Sequence, residues 1–175
     1  WNPARGCLFD LFGDASVRPN QLLAVSLRHS ALSATEAHGV VRTCERELLT
    51  PYGLRTLAPG EPGYVGRYDG DVRQRDGAYH QGTVWPWLIG PYAEAVLRVG
   101  KFSDKAKAEA RAALEPLLTQ LINSPAGGIG QLNEIYEAQE PHRPVGTMAQ
   151  AWSVSEVLRV LKNGGKLILV DHIRS

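Results

Sequence analysis

Hydrophobic positions recur at helical spacing in five stretches of the chain. Leu22, Leu23, Val25 and Leu27 follow Pro19, which suits the first turn of a helix because its missing N–H has no partner to lose there. Ser33 with Glu36 forms the pattern of a capping box ahead of Val40, Val41, Cys44 and Leu48, which predicts a second helix. A third is predicted over residues 83–99, with Gly100 as its C′ residue. A fourth runs from Ser103 to about Ile122, with Ala110, Ala113, Leu114, Leu117, Leu118 and Leu121 on its buried face. A fifth spans about Thr147 to Leu161, stopped by Asn163, Gly164 and Gly165. Residues 166–170 carry the one strong strand pattern.

Between these helices the connections alternate in length. Residues 28–34 and 100–104 are short turns, whereas residues 49–82 and 123–146 are long and rich in Gly, Pro and Tyr. Loops of that length inside a compact domain are usually functional or disordered. Their charged and aromatic content favours function. Antiparallel helix pairs would bring both long loops out at one end, with rigidity from the helices and chemistry on the loops. Residues 1–161 read as one mainly α domain and residues 162–175 as a tail of different character.

Composition narrows the function. The 175 residues suffice for one core, with 43% hydrophobic and 21% charged residues. A net charge of +1 offers nothing to nucleic acid or to an anionic membrane. No apolar run approaches the roughly 18 residues of a membrane span. Cys7 and Cys44 match no zinc spacing and read as buried thiols of a reducing, cytoplasmic compartment. His29, His38, His142 and His172 are scattered, so no metal site is expected. No cofactor is expected either: Gly127-Gly128-Ile129-Gly130 lacks a preceding strand and a following GK[ST]. The chain opens on Trp1 without a signal-peptide pattern, as a segment of a longer protein would.

The chemistry concentrates in the loops. Glu134 lies in Asn133-Glu134-Ile135-Tyr136-Glu137, ahead of Gln150-Ala151-Trp152. Glycoside hydrolysis needs two carboxyl groups flanking the scissile bond. Glu134 is the first candidate, and Asp69, Asp71 and Asp76 are candidates for the second. The alternative for each is an ordinary ion pair with an arginine. Trp85, Trp87, Tyr136 and Trp152 suit stacking on sugar faces, and core packing is the competing role. Tyr79, His80, Gln81 and Gln150 supply hydrogen-bonding groups beside them.

Several of these segments resemble a known family. The stretch from Asp14 to Leu27, Tyr52-Gly53-Leu54-Arg55-Thr56-Leu57, YHQGTVWPW (residues 79–87), GQLNEIYEA (residues 130–138) and GTMAQAWSVSEVLRVL (residues 146–161) are similar, in unbroken order, to the glucosidase domain of glycogen-debranching enzymes, the bacterial amylo-α-1,6-glucosidases among them. The resemblance implies a partial (α/α)6 toroid with long loops at one end and a short C-terminal strand. It implies hydrolysis with inversion, Glu134 as general base and the Trp85 and Trp152 regions as sugar-binding walls. The family's general acid lies before the segment matching Trp1. The expected substrate is therefore a terminal sugar of a short or aryl glycoside, β-glucosides and β-galactosides included; the alternative is a carbohydrate-binding remnant without catalysis. Half a toroid exposes an apolar flank, which implies a homo-oligomer. The tail from Leu158 to His172 resembles the helix–turn–strand late in class I methyltransferases, but no Gly-rich loop for S-adenosylmethionine accompanies it.

Overall fold

A computed structural model describes residues 1–123 and 128–162. Among them are six α-helices: α1 (Leu23–Ser26), α2 (Ala34–Glu47), α3 (Val72–Ala78), α4 (Ile89–Val99), α5 (Asp104–Asn123) and α6 (Ala151–Lys162). The strand expected over residues 166–170, and the methyltransferase-like tail with it, lie outside the described residues.

α4 is the centre of the packing. Ile89, Tyr92, Ala93, Ala95, Val96 and Leu97 are all buried, so the helix is apolar nearly all round and needs neighbours on every side. α1, α2, α5 and α6 supply them. The turn at Gly100–Ser103 folds α5 back onto α4. Gly100 is not the left-handed residue expected there. Its φ is −81°, and Lys101 and Phe102 take the positive φ instead. What demands glycine at 100 is the close approach of Ala106.

Charge also ties α4 to α6. Arg159 donates to both oxygens of Glu156 at 2.9 Å and to Glu94 at 2.6 Å, while Arg98 donates to Glu94 at 2.7 Å. Burial pushes the Glu94 carboxyl up, but Arg159 and Arg98 outweigh it and hold it below the usual range.

The helix boundaries differ from expectation where the backbone has lateral partners. α2 begins as predicted: Ser33 Oγ accepts from the Glu36 N–H, and the Glu36 carboxylate accepts from the Ser33 N–H. The stretch from Thr83 is not helical at its start. Val84–Trp85 forms a strand, β3, and Pro86 then opens a 3-10 turn that leads into α4. α6 starts at Ala151 rather than Thr147 because residues 147–150 are held sideways: Glu134 N–H donates to Thr147 O, and Gln150 N–H to Leu132 O. α3 sits inside a predicted loop, started by an Asp71–Gln74 capping box.

The remaining strands come from the two long loops. β1 (Leu49–Thr50), β2 (Gly53–Arg55), β3, β4 (Ile135–Tyr136) and β5 (Pro144–Val145) make one antiparallel sheet in that order. Leu54 pairs with Trp85, Val84 with Tyr136, and Ile135 with Val145. Ala138 N–H donates to Gly66 O, and Arg55 to Ala138 O, across the same boundary. The long loops thus do emerge together, joined by backbone hydrogen bonds.

Candidate active site

Glu134 precedes β4, and the sheet carries it to the YHQG segment. Its Oε1 accepts from Tyr79 Oη at 2.6 Å and from Gln150 Nε2 at 3.3 Å; its Oε2 accepts from the Thr147 N–H at 3.1 Å. All three partners donate, so both carboxylate oxygens serve as acceptors. The partners come from two separate parts of the chain, which fixes the carboxylate in direction as well as place. Burial, then contact with Glu134, pushes the Tyr79 phenol up, so Tyr79 remains a donor through the neutral range.

Tyr79 also begins an aromatic wall. Its ring meets the edge of Trp85 at 4.9 Å, His80 stacks on Trp85 at 5.3 Å, and Trp152 crosses Trp85 at 5.8 Å. Trp87 lies against Trp152 at 6.0 Å. The rings of His80, Trp85, Trp87 and Trp152, with Arg18, Asn20 and Thr56, line a cleft of about 340 Å³. Within the wall the tryptophans divide the work. Trp85 is 3% exposed, and its indole N–H donates to Tyr79 O and Thr83 Oγ1. Trp152 is 48% exposed and presents the open ring.

Tyr136 corrects the sequence reading. It is fully buried, stacked on Tyr52 at 4.9 Å, and its hydroxyl donates to Gln120. Its place in β4 turns it into the core, so it offers no face to a ligand. Gln81 is half-buried and accepts from Arg18 at 2.8 Å. The aspartates are all exposed. Asp71 caps α3, and Asp69 accepts from the Gly70 N–H. Asp76 stands on α3, three residues before Tyr79, and its carboxylate makes no hydrogen bond among the described residues.

Two residues went unnoticed in the sequence. Arg18 donates to Thr56 O, His80 O and Gln81 Oε1, and so pins the YHQG segment to the N-terminal region. Its position before Pro19 carries no sign of that role. Glu137 is a buried carboxylate, paired to Arg143 at 2.9 Å. Its offset of three from Glu134 was visible, but only the strand turns the two apart. Among the described residues no three His, Cys, Asp or Glu side chains gather as a metal site would require.

With this geometry in place, comparison with known proteins gives the family. A family model described as amylo-alpha-1,6-glucosidase matches residues 1–159. The chain belongs to the amylo-alpha-1,6-glucosidase family. It is also similar to the glycogen debranching enzyme of Saccharomyces cerevisiae, with 29% identity over 90 residues. That alignment covers 48% of this chain and 6% of the yeast protein, so the chain spans a small part of that relative's length.

In this family member Gly146 guards the carboxylate. Its φ is +70°, and a Cβ there would stand 2.6 Å from Glu134 Oε2 and 2.8 Å from Ile135 Cγ1. Gly146→Ala is expected to cost about 1–3 kcal/mol in backbone strain. It should also push the carboxylate off its Thr147 contact. Circular dichroism should show a folded protein that melts several degrees below wild type. An unchanged melting temperature would show that residue 146 has room to relax.

Proposed function

We propose that the chain is an exo-acting glycosidase that removes terminal sugars from short or aryl glycosides. One observation carries this: Glu134, held by Tyr79, Thr147 and Gln150, is joined through Tyr79 to the Trp85–Trp152 wall. A fixed acceptor carboxylate can take a proton from water as that water attacks the anomeric carbon. Trp152 supplies a sugar-stacking face, and His80 and Asn20 lie in the same cleft to meet hydroxyls. Family membership supports an α-1,6-linked glucose; the open cleft supports β-glucosides and β-galactosides as well. Asp76 is the aspartate whose carboxylate makes no contact among the described residues, and we assign it as the proton donor to the leaving oxygen. A panel of α- and β-nitrophenyl glycosides tests this: release above background supports it, and no release from any member overturns it.

A second reading is binding without catalysis. It is favoured by the engagement of Asp71 in a helix cap and of Asp69 in a turn. Saturable saccharide binding with no release from the panel would establish it.

The wider architecture follows the same proposal. The packing of α4 against α1, α2, α5 and α6 supports a reading of these helices as part of an (α/α)6 toroid. The exposed Met148 and Leu158 are apolar side chains that a second copy would cover. Light scattering should give a mass above one chain, and a monomer mass would count against it. The free thiols of Cys7 and Cys44 support a cytoplasmic setting.

A further inference from the structure

Behind the aromatic cleft, residues 8–10 hold the 3-10 turn Pro19–Leu22 and the residue before it. Leu8 N–H donates to Gln21 Oε1 at 3.2 Å. Asp10 receives two further groups: its Oδ1 accepts from Asn20 Nδ2 at 2.9 Å, and its Oδ2 lies 3.6 Å from Arg18 Nε. Arg18 and Asn20 line the cleft, whereas Asp10 stands outside the lining. We infer that Asp10 is a positioning residue that sets the specificity of the cleft: by neutralising Arg18 and orienting Asn20 it favours neutral sugars over acidic ones such as glucuronic acid. The inference rests on the glycosidase reading of the same cleft.

Charge is the first support. Among the described residues Arg18 is the one permanently charged side chain in the lining. Its other bonds go to Thr56 O, His80 O and Gln81 Oε1, none of which carries a charge. Asp10 is its one carboxylate contact among the described residues; the nearby Asp14 accepts instead from the Ser16 N–H at 2.8 Å. The side chains of Arg18 and Asp10 are 20% and 10% exposed, so solvent and salt screen the pair only partly. Without Asp10 the cleft would carry an uncompensated guanidinium, a group suited to a sugar carboxylate.

The second support is the direction of the Asn20 amide. A carboxylate only accepts, so Asp10 draws the NH2 end of the amide to itself. Asn20 Oδ1 makes no hydrogen bond among the described residues and is left as an acceptor. An acceptor suits the hydroxyls of a neutral sugar and opposes the oxygens of an acidic one. Asp10 is itself set in place by a tight turn, in which its N–H donates to Asp14 O and the Asp14 N–H to Leu11 O, both at 3.0 Å.

The test compares a nitrophenyl glucoside with the nitrophenyl glucuronide of the same anomer. Wild type is expected to favour the glucoside. Asp10→Asn keeps the shape and removes the charge. It should lower kcat/KM on the glucoside roughly threefold to tenfold, mainly through KM. The glucoside-to-glucuronide ratio of kcat/KM should fall roughly tenfold or more, because the repulsive element is gone. Asp10→Glu keeps the charge and should hold the ratio near wild type even where the rate falls, a rescue that a merely structural role would not give. Calorimetry with methyl glucoside and methyl glucuronide repeats the comparison without catalysis. A ratio unchanged by Asp10→Asn, in a protein that hydrolyses the glucoside, overturns the role of Asp10 and leaves the catalytic reading standing. The expected shift seen by calorimetry in a protein that hydrolyses nothing upholds Asp10 and removes the catalytic reading. A wild type that neither binds nor hydrolyses either sugar overturns both.

Discussion

Glu134→Gln is expected to lower glycoside hydrolysis by about two to four orders of magnitude, the usual range for loss of a positioned general base. The substitution preserves shape and keeps an oxygen for Tyr79 or Thr147. It replaces the other oxygen with an NH2 that faces a donor, so one contact is lost if the oxygen faces Tyr79 and Gln150, and two if it faces Thr147. The cage therefore loosens slightly while the proton acceptor disappears. Substrate binding should change much less than turnover, because the Trp152 ring and His80 are untouched. Measurement of kcat and KM on the most active nitrophenyl glycoside separates the two. Equal kcat for wild type and variant would remove Glu134 from the chemistry.

Gly53→Ala should be the most damaging single-atom change to the fold. Gly53 has φ +134°, which L side chains rarely adopt. Its added Cβ would also run into the backbone of β3, 2.7 Å from Trp85 C and 2.8 Å from Pro86 Cα. Backbone cannot swing aside as a side chain can, so strain and overpacking add, to about 2–5 kcal/mol. For a domain of this size that is roughly 5–15 °C in Tm. Because β2 and β3 lead to Tyr79 and Trp85, activity should fall even where the protein stays folded. A thermal melt within a degree or two of wild type would show that the sheet is slack at this point.

The helices were the legible part of the chain. α2 could be read to its capping box, because Ser33 and Glu36 act on their own neighbours and need no distant partner. α4 and α5 were legible from their apolar faces. The sheet was not. Strands of two or three residues show no alternation, and their pairing partners lie up to about fifty residues away, as Val84 and Tyr136 do. The same blindness explains the site. Glu134, Tyr79 and Gln150 each stand out by their local surroundings, but nothing local tells that the first accepts from the other two. The burial of Tyr136 is not written locally: both residues of β4, Ile135 and Tyr136, are covered by elements distant in sequence, Tyr136 by Tyr52. The role of Arg18 is invisible in sequence because its three acceptors belong to Thr56, His80 and Gln81, far along the chain.

The sheet has a further meaning for how such a protein can change over generations. Its strands are too short to stand without each other, and β3 joins the first long loop to the second through Val84 and Tyr136. Neither loop is an independent module. A deletion that shortened residues 56–82 would unseat the segment that carries Glu134, and an insertion near residue 140 would be felt at Trp85. Two regions that look like freely variable surface decoration are therefore bound to drift in concert or not at all.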